Sequence, residues 1–212
     1  MEEKVRIYEA SKRIFDIISS LTALIVLSPL LALVGIMIKL DSQGPVFYRG
    51  VRVGKNGKLF STFKFRTMVT DAEKRGGPST ADDDPRITRV GKGIRKYKLD
   101  EMPQLIDVLR GKMSIVGPRP EVEHYVDMFT DKEKEILSVR PGITDWATLW
   151  NPDEGSILAG SSDPERTYME KIRPEKIRLQ LKYVRERSFL ADLKIIFRTV
   201  RTVLTKEPVK PV

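Results

Sequence analysis

Cysteine is missing from the chain altogether, and there is a single histidine, His124. That removes disulfides, thiolate nucleophiles and Cys-based metal sites, and leaves no two-histidine metal site within one chain. Acidic residues are missing from Ser42 to Thr70, where Arg49, Arg52, Lys55, Lys58, Lys64 and Arg66 all lie. A stretch so one-sided in charge faces something negative. Charge of either sign is missing from Ile17 to Ile38, a run of 22 residues. Any chemistry here must therefore come from carboxylates, lysines, arginines, hydroxyls or a bound ion.

What remains is a chain of 212 residues with a net charge of +9, from 38 Lys and Arg against 29 Asp and Glu. The length predicts one domain with a real core, and the charge predicts an anionic partner: nucleic acid, lipid headgroups or a phosphorylated substrate. The uncharged run would reach about 33 Å as a straight helix, enough to span a bilayer. It is too long for a signal peptide, and no small-x-small cleavage site follows Ile38.

Ser28-Pro29 interrupts the run at its centre. Proline deletes one backbone hydrogen bond and crowds the carbonyl of Ile25, so a kink is expected, leaving two arms of about 16 Å, each suited to one leaflet. Lys4, Arg6, Lys12 and Arg13 precede the run and Lys39, Arg49 and Arg52 follow it, so both ends look cytoplasmic. A re-entrant hairpin fits that pattern, and a kinked single-pass anchor remains its alternative. The long apolar run has no role in a nucleic-acid binder.

Leu59, Phe63 and Phe65 alternate with Thr62, Lys64 and Arg66 at the period of a strand, and Asn56-Gly57 is a turn signal. The spacing predicts a β-hairpin of Pro45–Val53 with Leu59–Arg66, in which Lys64 and Arg66 project together. Its other cations suit a rim resting on anionic lipid. Residues 71–84 read as a loop, and its Asp82-Asp83-Asp84 triplet reads as solvated, with a divalent-ion site as the alternative.

Arg89, Lys92, Arg95, Lys96 and Lys98 crowd the approach to Asp100-Glu101. Leu99, Met102, Leu105, Ile106 and Leu109 recur at helical spacing and Gly111 is a stop, so Asp100 reads as the N-cap or first turn of a helix. A helix start among cations is also a phosphate site, where an ionised Asp100 could serve as nucleophile or ion ligand and Glu101 could share magnesium with a diphosphate. Gly117-Pro118-Arg119-Pro120 is a stiff element that would present Arg119 for bidentate phosphate contact. From Glu121 to Val139 an amphipathic stretch carries His124, read as structural or exposed. Trp146 and Trp150 suit either the lipid interface or a uracil stack. Leu190, Leu193, Phe197, Val200 and Leu204 form an apolar stripe suited to a membrane surface or to the core.

"KRIFDIISSLTALIVLSPLLAL", "TFKFRTM", "DPRITRVGKGIRKYKLDEMPQLIDVLRGKMSIVGPRPE", "RPGITDWA" and "YVRERSFLADLKIIFRTV" stand in an ordered succession that resembles the bacterial sugar transferases, the small monotopic phosphoglycosyl transferases. The resemblance runs from about Lys12 to Val203. It implies a mainly α fold with a short β-hairpin, a re-entrant helix–break–helix over residues 1–40 that turns at Ser28-Pro29, and a cytoplasmic catalytic domain with interfacial helices over 41–212.

The implied reaction carries sugar-1-phosphate from a UDP-sugar to polyprenyl (undecaprenyl) phosphate at the cytoplasmic face of the bacterial inner membrane, and UMP is released. This is the first membrane step of polysaccharide or glycan assembly. The resemblance makes Asp100 the nucleophile of a covalent phosphosugar intermediate, Glu101 a Mg2+ ligand beside Asp100, and Lys64, Arg66, Arg95 and Arg119 the phosphate-binding cations. It admits a homodimer. Phosphoryl transfer asks mainly for positioning and charge neutralisation, so the scarcity of His and Cys is no obstacle.

The chain departs from the family pattern at Asp145 and Thr148, where glycine and glutamine are commoner, and residues 151–165 read as a mobile insertion-like loop whose Asp153 and Glu154 belong to its surface, with substrate contact as the alternative. Two rivals stay open: sugar transfer without its phosphate, releasing UDP, and a non-catalytic basic membrane anchor for anionic partners.

Overall fold

The structure, a computed structural model, describes residues 2–76 and 80–205. The side chain of Leu204, predicted to join the C-terminal stripe, lies outside the described residues, as do Gly77, Pro78 and Ser79 of the acidic loop. The protein is mainly helical with short strands, as the sequence leads one to expect.

Helix α1, Glu2–Asp41, carries the apolar run. Its helical pattern passes through Ser28-Pro29 without interruption, which differs from the predicted helix–break–helix. The physical reason lies in the pair itself. Pro29 cannot donate to the carbonyl of Ile25, and the Ser28 hydroxyl donates to that carbonyl instead, at 2.8 Å. No residue from 21 to 33 is buried, whereas Asp16, Ser20, Val34 and Ile38 are.

Both ends of α1 grip the same body. Near its start, Arg13 donates to the carbonyls of Val108 and Leu109, and Asp16 accepts from the Ile115 amide. Near its end, Val34 and Ile38 pack with Phe65 and Ile94, and Asp41 accepts from the Val90 amide.

The predicted hairpin is present as two antiparallel pairs. Strand β1 (Phe47–Tyr48) will meet β4 (Lys64–Phe65), and β2 (Val51–Val53) meets β3 (Leu59–Ser61), with Val51 opposite Ser61 and Phe47 opposite Phe65. Asn56 and Gly57 both take positive φ, 57° and 74°, which is why this dipeptide makes the turn. A single-turn helix α2 (Ala72–Arg75) and helix α3 (Arg89–Lys96) follow, then a 3-10 turn at Leu99–Glu101 leading into α4 (Gln104–Leu109). Gly111, at φ 73°, ends α4 as expected.

A feature the sequence reading lacks is a parallel pair, β5 (Ser114–Val116) with β6 (Gly142–Thr144), which places Gly117-Pro118-Arg119 beside Asp145. The predicted amphipathic stretch is broken into α5 (Glu123–Val126) and a 3-10 segment, Glu133–Ser138, and His124 is exposed. After α6 (Trp146–Trp150) the expected loop contains α7 (Glu154–Leu158), whose Leu158 is buried with Ala81, Tyr125, Tyr168 and Ile172. Helix α8 (Pro164–Thr167) runs through a π-turn into α9 (Arg173–Glu186), and α10 (Phe189–Thr205) closes the described chain.

Helix α10 does both things the sequence allowed. Ile195 is fully buried, and Asp192 accepts from Tyr8, Lys12 and Tyr183, tying α10 to α1 and α9. Its other face leaves Leu190 77 % and Phe197 73 % exposed. Trp146 lies between the core and α10, beside Lys194 and Arg198, while Trp150 packs against the Leu158 cluster, so both tryptophans join the protein's own packing.

Candidate active site

Lys98 adopts a left-handed φ of 54°, and this turn swings Leu99–Glu101 inward so that Asp100 and Glu101 are both buried. Asp100 sits in the first turn, as predicted, but among the described residues no backbone amide donates to it. Its Oδ2 lies 3.4 Å from Lys64 Nζ, and its Oδ1 is buried without a hydrogen-bond partner among the described residues. A buried carboxylate oxygen left unsatisfied costs stability and points to chemistry rather than to folding.

Glu101 is the opposite case. Lys64 approaches one oxygen at 2.8 Å, and the Arg119 guanidinium forks across both oxygens, with the Nη1 contact at 2.9 Å. Burial pushes the Glu101 carboxyl upward, but Arg119 and Lys64 outweigh it and hold the group well below the ordinary carboxylate range. The strand pairing of Lys64 with Tyr48 fixes the lysine on the hairpin, and the parallel pair fixes the arginine arm.

The arm is held from behind. Asp145, completely buried, accepts from the Arg119 amide at 3.3 Å and from the amide and hydroxyl of Thr148 at 2.7 and 2.9 Å, capping α6. Burial raises the Asp145 carboxyl, and the bonds from Thr148 and Arg119 work against that rise. Asp145 and Thr148 are thus partners in one local structure. That partnership was readable as an Asp-x-x-Thr cap just before an apolar turn.

Of the predicted phosphate cations, Lys64 and Arg119 converge on the carboxylate pair. Arg66 does not face it: its three donor nitrogens go to Pro45 O, Ser42 Oγ and Ser42 O, stitching the end of α1 to the hairpin. The prediction that it projects together with Lys64 followed strand alternation, which the connection from Ser42 to Pro45 overrides. Arg95 is half-buried and faces the acidic loop, where its charge acts on Asp82 and Asp84.

The three aspartates of that loop have separate protein partners. Asp84 is held by the Arg86 guanidinium at 2.7 Å, Asp83 accepts from the Gly160 amide, and Asp82 neighbours Asp153. No group of three or more metal-binding side chains converges among the described residues.

Sequence reasoning missed a second buried charge cluster behind the first. Lys176, on α9, lies 2.7 Å from Glu121 and 3.0 Å from Glu154, with the Tyr168 hydroxyl at 3.4 Å. Burial alone would lower the Lys176 ammonium, and the two carboxylates instead raise it well above the ordinary lysine value. Glu121 directly follows the Gly-Pro-Arg-Pro arm, which was the available signal.

A sequence model described as bacterial sugar transferase matches residues 7–206. The chain belongs to the bacterial sugar transferase family. Among the chain's relatives, a UDP-N-acetylgalactosamine-undecaprenyl-phosphate N-acetylgalactosaminephosphotransferase of Aeromonas hydrophila is 39% identical over 203 residues, covering 94% of this chain and 45% of that protein. An undecaprenyl-phosphate glucose phosphotransferase of Komagataeibacter xylinus is 40% identical over 197 residues, covering 90% of this chain and 35% of that one. The chain therefore spans less than half the length of these two relatives. An exopolysaccharide production protein, PSS, of Rhizobium leguminosarum bv. phaseoli is 40% identical over 209 residues, covering 92% of this chain and 96% of the relative.

Proposed function

We propose that the protein is a phosphoglycosyl transferase that moves sugar-1-phosphate from a UDP-sugar to polyprenyl (undecaprenyl) phosphate through a covalent Asp100 phosphosugar, releasing UMP. The observation that carries this reading is the contrast inside one dipeptide: Glu101 has cations on both oxygens, and Asp100 Oδ1 is buried and unpartnered. Asp100 Oδ1 attacks the sugar-linked phosphorus and the bond from that phosphorus to the UMP oxygen breaks. UMP departs as a phosphate. A phosphate oxygen of the polyprenyl acceptor then attacks the same phosphorus, the acyl phosphate bond to Asp100 breaks, and the diphosphate-linked sugar leaves. No proton has to move in either step, which suits a site without histidine. Lys64 and Arg119 offset the charge that gathers on the transferring phosphoryl group.

Magnesium fits the donor set. It takes hard oxygens and is usually held by one or two carboxylates plus substrate phosphates, and the incompletely partnered Asp100 carboxylate is such a group. Glu101 would be the second ligand. A diphosphate would compete for Lys64 and Arg119 and would leave Glu101 available to hold the ion. The ion would supply further neutralisation of diphosphate charge.

The re-entrant seat of α1 is part of the proposal and is supported by its contacts. Residues 8–20 and 34–41 both hold one body, whereas no residue from 21 to 33 is buried; that middle stretch is about 20 Å of helix, short of the roughly 30 Å hydrocarbon core, so it suits dipping into lipid rather than crossing it. Exposed Leu190 and Phe197 on α10 give that body a second lipid-facing surface at the cytoplasmic side of the inner membrane.

The test uses full-length protein in membrane vesicles with UDP-sugars, polyprenyl phosphate and Mg2+, reading UMP against UDP and trapping any sugar-phosphate adduct. UMP release and an adduct that both vanish in Asp100→Asn are expected. UDP as product, or substantial turnover by Asp100→Asn, would overturn the reading.

A further inference from the structure

Residues 151–165 look like a mobile, insertion-like loop in the sequence, yet they are anchored from two sides. The Gly155 carbonyl accepts from the Asp82 amide at 3.2 Å, and any side chain at Gly155 would collide with the Asp82 carboxylate. One residue earlier, Glu154 binds Lys176, which is buried and also bound to Glu121. Within this triad the side chains of Lys176 and Glu121 are 5 % and 12 % exposed, while that of Glu154 is 35 % exposed. Glu154 is therefore the member with an open face. It also lies within electrostatic reach of both Arg119 and Glu101.

Chemistry limits what that open face can meet. With Lys176 behind it, Glu154 stays ionised and can only accept hydrogen bonds, so it repels a diphosphate and attracts O–H or N–H donors. In a UDP-sugar the diphosphate belongs beside Lys64 and Arg119, and the neutral, hydroxyl-bearing portion must then extend past them. We infer that Glu154, fixed by Lys176, is a specificity-determining residue that accepts a hydrogen bond from a hydroxyl or N–H of the neutral part of the nucleotide-sugar donor. This rests on the proposed transferase activity and adds to it a reader on a segment unrelated to the Asp-Glu pair.

The experiment compares wild type with Glu154→Gln and Glu154→Asp in full-length protein. It measures kcat/KM for UDP-glucose, UDP-galactose and their N-acetyl counterparts, together with inhibition by UMP, which carries the nucleoside without the sugar. Losing the charged acceptor is expected to cost the preferred donor about 10- to 100-fold and to compress the ratio between epimers several-fold. Unchanged UMP inhibition would place the hydroxyl on the sugar, and weakening of UMP by the same factor would place it on the nucleoside. Both outcomes support the proposal. An equal loss for every donor with unaltered UMP inhibition, or no loss in either variant, would overturn it. Wild type that released no UMP from any UDP-sugar would instead refute the transferase reading.

Discussion

Arg119→Ala tests the electrostatics of the site most directly. The wild-type guanidinium forks across Glu101, whose side chain is 11 % exposed, while Arg119 itself is 29 % exposed. Removing one partner of a buried pair costs about 3–5 kcal/mol. Here Lys64 stays on Glu101 at 2.8 Å and solvent screens the exposed edge of the arginine, so about 2–3 kcal/mol is expected at neutral pH. For a chain of this size that corresponds to a drop in Tm of roughly 4–12 °C.

The pH dependence is the sharper part. The folded Glu101 carboxyl binds its proton less readily than the unfolded one. Its contribution is therefore complete above the unfolded value of about 4.3 and is lost as pH falls through the lower folded value. Without the guanidinium, burial lifts the carboxyl and that contribution shrinks. The stability gap between wild type and variant should be widest near neutral pH and narrow as pH falls below the unfolded carboxyl value of about 4.3, in thermal melts of both proteins in one detergent. A gap constant across that range would refute the reasoning, as would no gap at all.

Glu101→Gln should leave membrane binding intact and cut turnover by at least about 100-fold, with a flattened response in a Mg2+ titration; an unchanged titration curve would remove the ligand role. Asp145→Ala deletes the cap of α6 and strands the Arg119 amide, so a loss of about 1–3 kcal/mol in denaturant melts is expected, with kcat falling more than KM rises. Phe197→Glu on the exposed face of α10 should weaken vesicle flotation without lowering Tm, because that side chain is 73 % exposed.

Much of the site was legible because its signals are local. Asn56-Gly57 turns where both residues can hold positive φ, Gly111 stops α4 for the same reason, and the Lys64 strand pattern survives in the register with Tyr48. What sequence reasoning misjudged depended on distant partners. Alternation predicted that Arg66 projects together with Lys64, but the end of α1 returns to it and occupies its donors. Residues 151–165 looked mobile because no short-range signal shows that Lys176, more than ten residues away, lies waiting for Glu154. The parallel pairing of Ser114–Val116 with Gly142–Thr144 escaped notice since three-residue strands carry no period.

The sequence by itself determined the long apolar helix, the cationic hairpin, the carboxylate pair and the family, since each is written in contiguous residues whose spacing and charge suffice. Only the tertiary structure decided which oxygen is free. Asp100 and Glu101 are adjacent and chemically alike, and nothing local distinguishes them. Lys64 arrives from the hairpin, and Arg119 arrives on an arm set by the parallel pair and by Asp145. Together they saturate Glu101 and leave Asp100 Oδ1 bare.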